Sequence, residues 1–250
     1  MSQFKLLRSD KSAIAGAYKL FVATWNIEGL ARNAFALKQF VRQYDARLIF
    51  LSEPQVYKCD ISHPMNLFTS DYDYYLNSED THDMDLPLTH PRAKGGTMVI
   101  WSTSLSPHLK VLPTTSPSFI SVLLCPPGGL PSIHTGVYLP TAVREGEWMA
   151  TLVELEHHVT ENRDKFRGSA IFLRGDFNAS SRNKMRASFL AAFVNRLDLS
   201  RVPIGHYTYH HFTGGGVSDS DLDLLLYDGN KASVSRARDA TESIPPASLL

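Results

Sequence analysis

The stretch Ala170-Ile171-Phe172-Leu173-Arg174-Gly175-Asp176-Phe177-Asn178 decides the fold. Four consecutive apolar residues read as a short strand covered on both faces, and such strands belong to α/β architectures in which helices pack over a sheet. The run then gives way to Arg174, Gly175 and two polar residues, Asp176 and Asn178, two positions apart. A carboxylate beside a buried strand is costly unless it is paired, hydrogen-bonded or holding a cation. Gly175 allows the close backbone approach that such a corner needs.

The same arrangement recurs along the chain. Leu20-Phe21-Val22-Ala23-Thr24-Trp25 is another buried run, and it leads into Asn26-Ile27-Glu28-Gly29. Leu30, Ala34, Leu37, Val41 and Tyr44 then recur at steps of three and four, the spacing of an amphipathic helix. Leu48-Ile49-Phe50-Leu51 follows and ends at Ser52-Glu53-Pro54, so the chain opens with a β-α-β unit. Four strand-like runs at 97–101, 108–112, 119–125 and 133–139 are separated by Pro, Gly and Ser, which predicts hairpins. The last of them finishes at Val137-Tyr138-Leu139-Pro140.

Trp148, Leu152, Leu155 and Val159 share one helix face, a second helix is expected around 185–194, and strands are expected at 207–212 and 222–227. Asp223 lies among the leucines of the last one. Both crossover and hairpin connections are present. The pattern predicts an α/β protein, a four-layer α/β sandwich with two mixed β-sheets packed between helices, built as one domain over residues 18–228. Residues 1–17 are read as an N-terminal extension. Residues 229–250 are read as an atypical tail whose lack of a hydrophobic period is compatible with disorder.

Composition narrows the function. Lys and Arg total 25 and Asp and Glu total 25 in 250 residues, which excludes a binder that relies on bulk positive charge. Cys59 and Cys125 form no C-x-x-C pair, so neither a disulfide scaffold nor a zinc site is expected. No apolar run approaches a bilayer span, and Lys5, Arg8 and Lys11 precede any apolar leader; a soluble, intracellular, monomeric protein with no membrane partner is expected. Hard oxygen donors at strand ends without a Cys or His cluster point to Mg²⁺, or Mn²⁺, as the cofactor. His157 and His158 are adjacent on a helix and point different ways, so they make no metal pair. Arg182, Lys184 and Arg186 form a basic cluster, either a nucleic-acid contact or a solvated helix start.

Taken in order, Trp25-Asn26-Ile27-Glu28-Gly29-Leu30, Leu51-Ser52-Glu53, Gly95-Gly96-Thr97, Val137-Tyr138-Leu139-Pro140, Gly175-Asp176-Phe177-Asn178 and Ser220-Asp221-Leu222-Asp223 resemble the motifs of the endonuclease/exonuclease/phosphatase superfamily. Tyr207-Thr208-Tyr209-His210-His211-Phe212, ahead of Asp223, looks most like the endonuclease domain of non-LTR retrotransposons. The resemblance implies a Mg²⁺-dependent phosphodiester hydrolase that nicks DNA. It makes Glu53 the principal metal ligand with Asn26 beside it, and Tyr138 a donor to a phosphate oxygen. Asp176 would orient or deprotonate the attacking water, and Asn178 would stabilise the developing charge. Asp223 matches the aspartate that supports a closing catalytic histidine, and Thr208, Tyr209, Arg182 and Lys184 would contact nucleic acid. It also implies a past fusion to a reverse transcriptase and action in the nucleus, though no basic import cluster is present.

Two motifs depart from the pattern. Ser52 stands where the superfamily most often has Gln before its metal-binding Glu, a small change since Ser also donates a hydrogen bond, and the closing segment departs further. The superfamily closes with a Ser-Asp-His segment, and none of the residues after Asp223 in this sequence is histidine; the last is His211. Loss of a general acid/base costs about 10²–10⁴ in rate. A catalytically inactive remnant that still binds nucleic acid is therefore a rival expectation, and a phosphomonoesterase or lipid phosphatase using the same metal site is another. Read singly, Asn26, Asp176 and Asn178 are also ordinary turn residues, Glu53-Pro54 an ordinary strand end, and Tyr138 an ordinary half-buried strand tyrosine.

Overall fold

Two parallel strand pairs, each bridged by a helix, anchor two six-stranded sheets. The computed structural model describes residues 4–9, 20–78, 93, 95–141, 145–179, 183–202, 209–213, 216–220, 223–230 and 236–239. The first sheet holds β1 (Phe4–Ser9), β2 (Leu20–Asn26), β3 (Leu48–Ser52), β4 (Tyr72–Asn77), β5 (Thr97–Ser102) and, closing the chain order, β14 (Arg236–Asp239). Its strand order is β14-β1-β2-β3-β5-β4. The second holds β6 (Leu109–Leu112), β7 (Phe119–Leu124), β8 (Ser132–Tyr138), β9 (Ala170–Asp176), β10 (Ser200–Arg201) and β13 (Asp223–Tyr227), in the order β10-β13-β9-β8-β7-β6. A separate hairpin joins β11 (Tyr209–Thr213) to β12 (Gly216–Ser220).

β2 pairs in parallel with β3 and β8 with β9; every other described pair is antiparallel. The parallel pairs need crossovers, which α1 (Leu30–Tyr44) and α3 (Glu145–Lys165) supply. A short α2 (Ser62–Met65) follows β3, and α4 (Lys184–Arg196) follows β9.

Strand parity sorts most of the buried side chains into three main cores. On the outer face of the first sheet, Ala23, Trp25, Ile49, Leu51, Met98 and Ile100 pack under α1. On the outer face of the second, Val137, Ile171 and Leu173 pack under α3 and α4. The alternate residues Val22, Leu48, Phe50, Val99, Ile120 and Val122 fill the space between the sheets. The result is the four-layer α/β sandwich expected from the sequence. The sheets come close at Gly136, where an added Cβ would lie 2.5 Å from the Phe50 ring.

The sheets take in strands that lie outside the 18–228 boundaries. β1 pairs with β2, and β14 pairs with β1, with Leu7 beside Ala237 and Arg8 beside Arg236. The sequence Arg236-Ala237-Arg238-Asp239 carries no apolar period because it forms a sheet edge, where charge is tolerated. β4 is the opposite edge; Tyr74 and Tyr75 are exposed and only Leu76 is buried, so no strand pattern marks it.

Candidate functional site

Parity also places the polar strand ends. Asn26 has the parity of Val22, Ser52 that of Phe50, and Tyr138 that of Gly136, so each stands on the inward face at the end of its strand. Asp176 follows Arg174, whose guanidinium lies 5.6 Å from the Phe50 ring centre, which puts Asp176 on the same face. Glu53 leaves this alternation because the chain turns at that residue.

Glu53 has φ 52°, in the left-handed region that non-glycine residues rarely adopt. Three contacts hold it there. Its N–H donates to the Gly96 carbonyl at 3.0 Å, and its carbonyl accepts from the Gly29 N–H at 2.9 Å. Its carboxylate Oε1 accepts a hydrogen bond from the Tyr138 hydroxyl. Gln55 Nε2 lies 3.5 Å from Oε2, a long contact. Tyr138 belongs to the second sheet and Glu53 to the first, so the two sheets meet at this pair. Asn26 is beside Ser52 in the parallel register, and its Oδ1 lies 3.4 Å from the Glu28 N–H.

Asp176 stands beside Tyr138 in the parallel register of β8 and β9. Its Oδ1 accepts from the Asn178 N–H at 2.9 Å, a short turn that reverses the chain. Its backbone carbonyl accepts from the Leu139 N–H at 2.9 Å, and Asn178 Nδ2 donates to the Leu139 carbonyl at 2.8 Å. Asn178 has φ 47°, a conformation asparagine tolerates better than most residues. The corner can form only because residue 175 is glycine. Its φ is +131°, and a Cβ there would sit 2.1 Å from the Val137 carbonyl oxygen.

Asp223 opens β13 directly opposite Asp176 in the antiparallel register. Glu53, Tyr138, Asp176 and Asn178 thus share one mouth between the sheets, with Asn26 and Asp223 at adjoining strand ends. Tyr209 begins β11. Lys184 is exposed at the start of α4. Thr208 and Arg182 lie outside the described residues.

Arg186 corrects one expectation. It is fully buried, with 0% exposure, and donates to the carbonyls of Pro140, Thr141 and Asn178, so it is no part of a nucleic-acid surface. Arg186, Leu190 and Phe193 follow helical spacing on the buried side of α4, and that spacing is the signal that marks Arg186 as inward-facing. Gln55 and Trp148 are further residues of the site's surroundings that motif reading passes over. His157 is exposed and His158 buried, as adjacent helix positions should be.

The donor chemistry at the mouth suits a hard cation. Glu53 is a carboxylate and Asn26 an amide oxygen, at adjacent strand ends, and Mg²⁺ asks for only one or two carboxylates with water completing its shell. Among the described residues there is no group of three or more His, Cys, Asp or Glu that could hold a metal. Among them, too, no helix is long and apolar enough to cross a membrane.

No protein-family model and no curated protein sequence matches the chain. Solved structures do. The AP endonuclease LMAP from Leishmania major superposes with a TM-score of 0.63 at 12% identity, over 90% of this chain and 84% of that one. The endonuclease domain of TRAS1, a telomere-specific non-LTR retrotransposon, gives 0.56 at 15% identity, over 84% and 85%. TDP2 from D. rerio, solved with a single-strand DNA product, gives 0.54 at 15% identity, over 92% and 87%. Against TDP2 from Caenorhabditis elegans the chain spans 64% of that protein's length. The fold is that of the endonuclease/exonuclease/phosphatase class, and a retrotransposon endonuclease is among its structural neighbours.

Proposed function

We propose that the chain is a phosphodiester hydrolase acting on nucleic acid, in the finer reading a Mg²⁺-dependent DNA endonuclease of the retrotransposon type. One observation carries this reading. The carboxylates of Glu53 and Asp176, the Tyr138 hydroxyl and the Asn178 amide gather at a single mouth between the two sheets. Structural neighbours that are endonucleases or were solved with DNA agree with it.

Hydrolysis of a phosphodiester needs a base for the attacking water, donors for the charge on the phosphorane, and a cation at the phosphate oxygens. Asp176 is the base: one oxygen is fixed by the Asn178 N–H, which orients the carboxylate. Asn178 Nδ2 spends one of its two hydrogens on the Leu139 carbonyl, and the other is available to the phosphate. The Tyr138 hydroxyl donates to a phosphate oxygen once substrate competes with Glu53 for it. Glu53 and Asn26 would hold Mg²⁺, or Mn²⁺, which supplies positive charge at the phosphate. Asp223, at the register position opposite Asp176, brings a second carboxyl-bearing residue to the same strand end. Thr208, Tyr209, Arg182 and Lys184 are assigned to the nucleic-acid side.

The test is nicking of supercoiled plasmid with Mg²⁺ by the parent chain, beside Asp176→Ala, Glu53→Ala and an EDTA control. Nicking that falls by at least about 10² in both variants and disappears with EDTA supports the reading. Equal nicking by parent and variants overturns it. A folded parent that binds plasmid without turnover is the inactive remnant. Turnover of an inositol phosphate in place of plasmid is the phosphatase.

A further inference from the structure

Arg186 is a charged side chain with no access to water, and its hydrogen bonds go to a particular set of atoms. Nη1 donates to the Pro140 carbonyl at 3.0 Å and to the Asn178 carbonyl at 2.9 Å, and Nη2 donates to the Thr141 carbonyl at 2.9 Å. Nε lies 3.4 Å from Glu145 Oε1. The guanidinium stacks over Trp148, 4.9 Å from the ring centre. Trp148 Nε1 in turn donates to the Phe177 carbonyl at 2.8 Å.

These atoms belong to two corners. One is the 139–141 segment that follows Tyr138; the other is the 177–178 segment that follows Asp176. A buried charge adds little over an apolar side chain of similar volume when its partners are replaced with it, but here the partners are three backbone carbonyls that remain. An apolar side chain cannot hold three carbonyls from two loops at fixed separations. Lysine cannot either, since its donors radiate from one nitrogen and lack the planar fork. The left-handed backbone of Asn178 needs support of this kind, because a strained residue persists only where its surroundings over-determine it.

We propose that Arg186, stacked on Trp148, is a positioning residue that locks the Tyr138 corner to the Asn178 corner and so aims both donors at one phosphate. The proposal rests on the functional reading above, and it makes a separate claim about geometry. Removing Arg186 lets the two corners drift, and a drift of about 1 Å in donor placement costs about 10² in rate. The loss falls on kcat because ground-state binding of nucleic acid does not depend on that alignment.

The experiment uses the full chain, with Arg186→Met and Arg186→Lys. Plasmid nicking gives kcat and KM, thermal melting gives stability, and ¹⁵N-labelled protein reports the Asn178 side-chain amide, assigned by its loss in Asn178→Ser. The expected result is a kcat lower by about 10² in both variants with KM within about twofold. Melting temperature stays near the parent's in at least Arg186→Lys, and the Asn178 amide signal is displaced in both. A kcat restored by lysine, a loss that only tracks the unfolded fraction, or a KM increase at constant kcat each overturns the proposal. If the parent chain does not nick, the functional reading fails and the amide signal alone decides: displaced, the corners are locked by Arg186; undisplaced, they are not.

Discussion

Tyr138 donates its hydroxyl hydrogen bond to Glu53 across the boundary between the two sheets. Tyr138 ends β8 of one sheet, and Glu53 follows β3 of the other. A donor placed on the carboxylate fixes its orientation at the junction of the two sheets. Tyr138→Phe is expected to lower nicking by about 10², the cost of removing one transition-state donor. The same change costs about 1 kcal/mol of stability, since one hydrogen bond at a half-buried site is lost. Nicking rates and denaturant melts on the pair of proteins check this. An unchanged rate removes the hydroxyl from the chemistry.

His158 makes stability depend on pH in a direction that can be worked out. It lies on the buried face of α3, with Nε2 2.9 Å from Ser121 Oγ and 3.2 Å from Asn162 Nδ2. Burial pushes its pKa below the ordinary imidazole value; the neighbouring His157 adds to the shift and Glu161 opposes it. The unfolded chain therefore binds a proton near the ordinary imidazole pKa while the folded chain stays neutral. Stability is full above about pH 7 and falls as pH drops through about 6.5 toward the lower folded pKa. His158→Gln should flatten the pH dependence of the unfolding free energy between about pH 7 and pH 5. Equal slopes in parent and variant would remove His158 as the cause.

The elements legible in the sequence are those whose side chains meet a core on at least one regular face. β2, β3 and β9 carry continuous apolar runs because both faces are covered, and α1 shows its buried stripe from Leu30 to Val41. β1, β4 and β14 lie at or next to sheet edges and escape notice; Tyr74 and Tyr75 of β4 face water. The site divides in the same way. Asn26, Glu53, Tyr138, Asp176 and Asn178 stand at strand ends, where a polar residue interrupts an apolar run and shows itself. Arg186 does not, because its role comes from carbonyls that are distant in sequence, at 140, 141 and 178. Its helical spacing with Leu190 and Phe193 signals burial but not the atoms it would meet.

Arg174 is a second buried guanidinium, and it differs from Arg186 in what surrounds it. It lies between the sheets, over Phe50 and Phe172, with Nη2 donating to His134 Nδ1 at 2.7 Å and Nε without a partner. His134 is thereby held as the tautomer that donates from Nε2 to Ser132 Oγ, 2.9 Å away, with its ring stacked on Phe172. Burial pushes the Arg174 pKa down to about 9, a measure of how poorly the charge is compensated. Arg174→Met is therefore expected to be neutral or to stabilise by about 1–4 kcal/mol. Arg174→Ala, which leaves a cavity in the inter-sheet core, is expected to destabilise by about 2–5 kcal/mol. Urea melts of the three proteins distinguish these outcomes. A strongly destabilised Met variant would show that the guanidinium is needed where it sits.

Gly175 governs the corner that carries Asp176. Its φ of +131° is closed to other residues, and an added Cβ would approach the Val137 carbonyl oxygen to 2.1 Å. That oxygen belongs to the backbone of β8, which is pinned through its register with β9 and cannot yield as a flexible side chain would. Gly175→Ala therefore combines backbone strain with overpacking, and the expected loss is about 2–5 kcal/mol. Separation of β8 from β9 at this level would also move Tyr138 away from Asp176, because the two are register partners one step further on. Gly146 is the matching control: it lies within α3, and a Cβ there meets nothing within 4 Å. Gly146→Ala should stabilise by up to about 1 kcal/mol through helix propensity. Melts and plasmid nicking of both variants test the difference, with activity expected to fall in Gly175→Ala by more than its unfolded fraction explains. A Gly175→Ala protein that melts and nicks like Gly146→Ala would mean that the β8–β9 corner relaxes freely and that its geometry does not set the site.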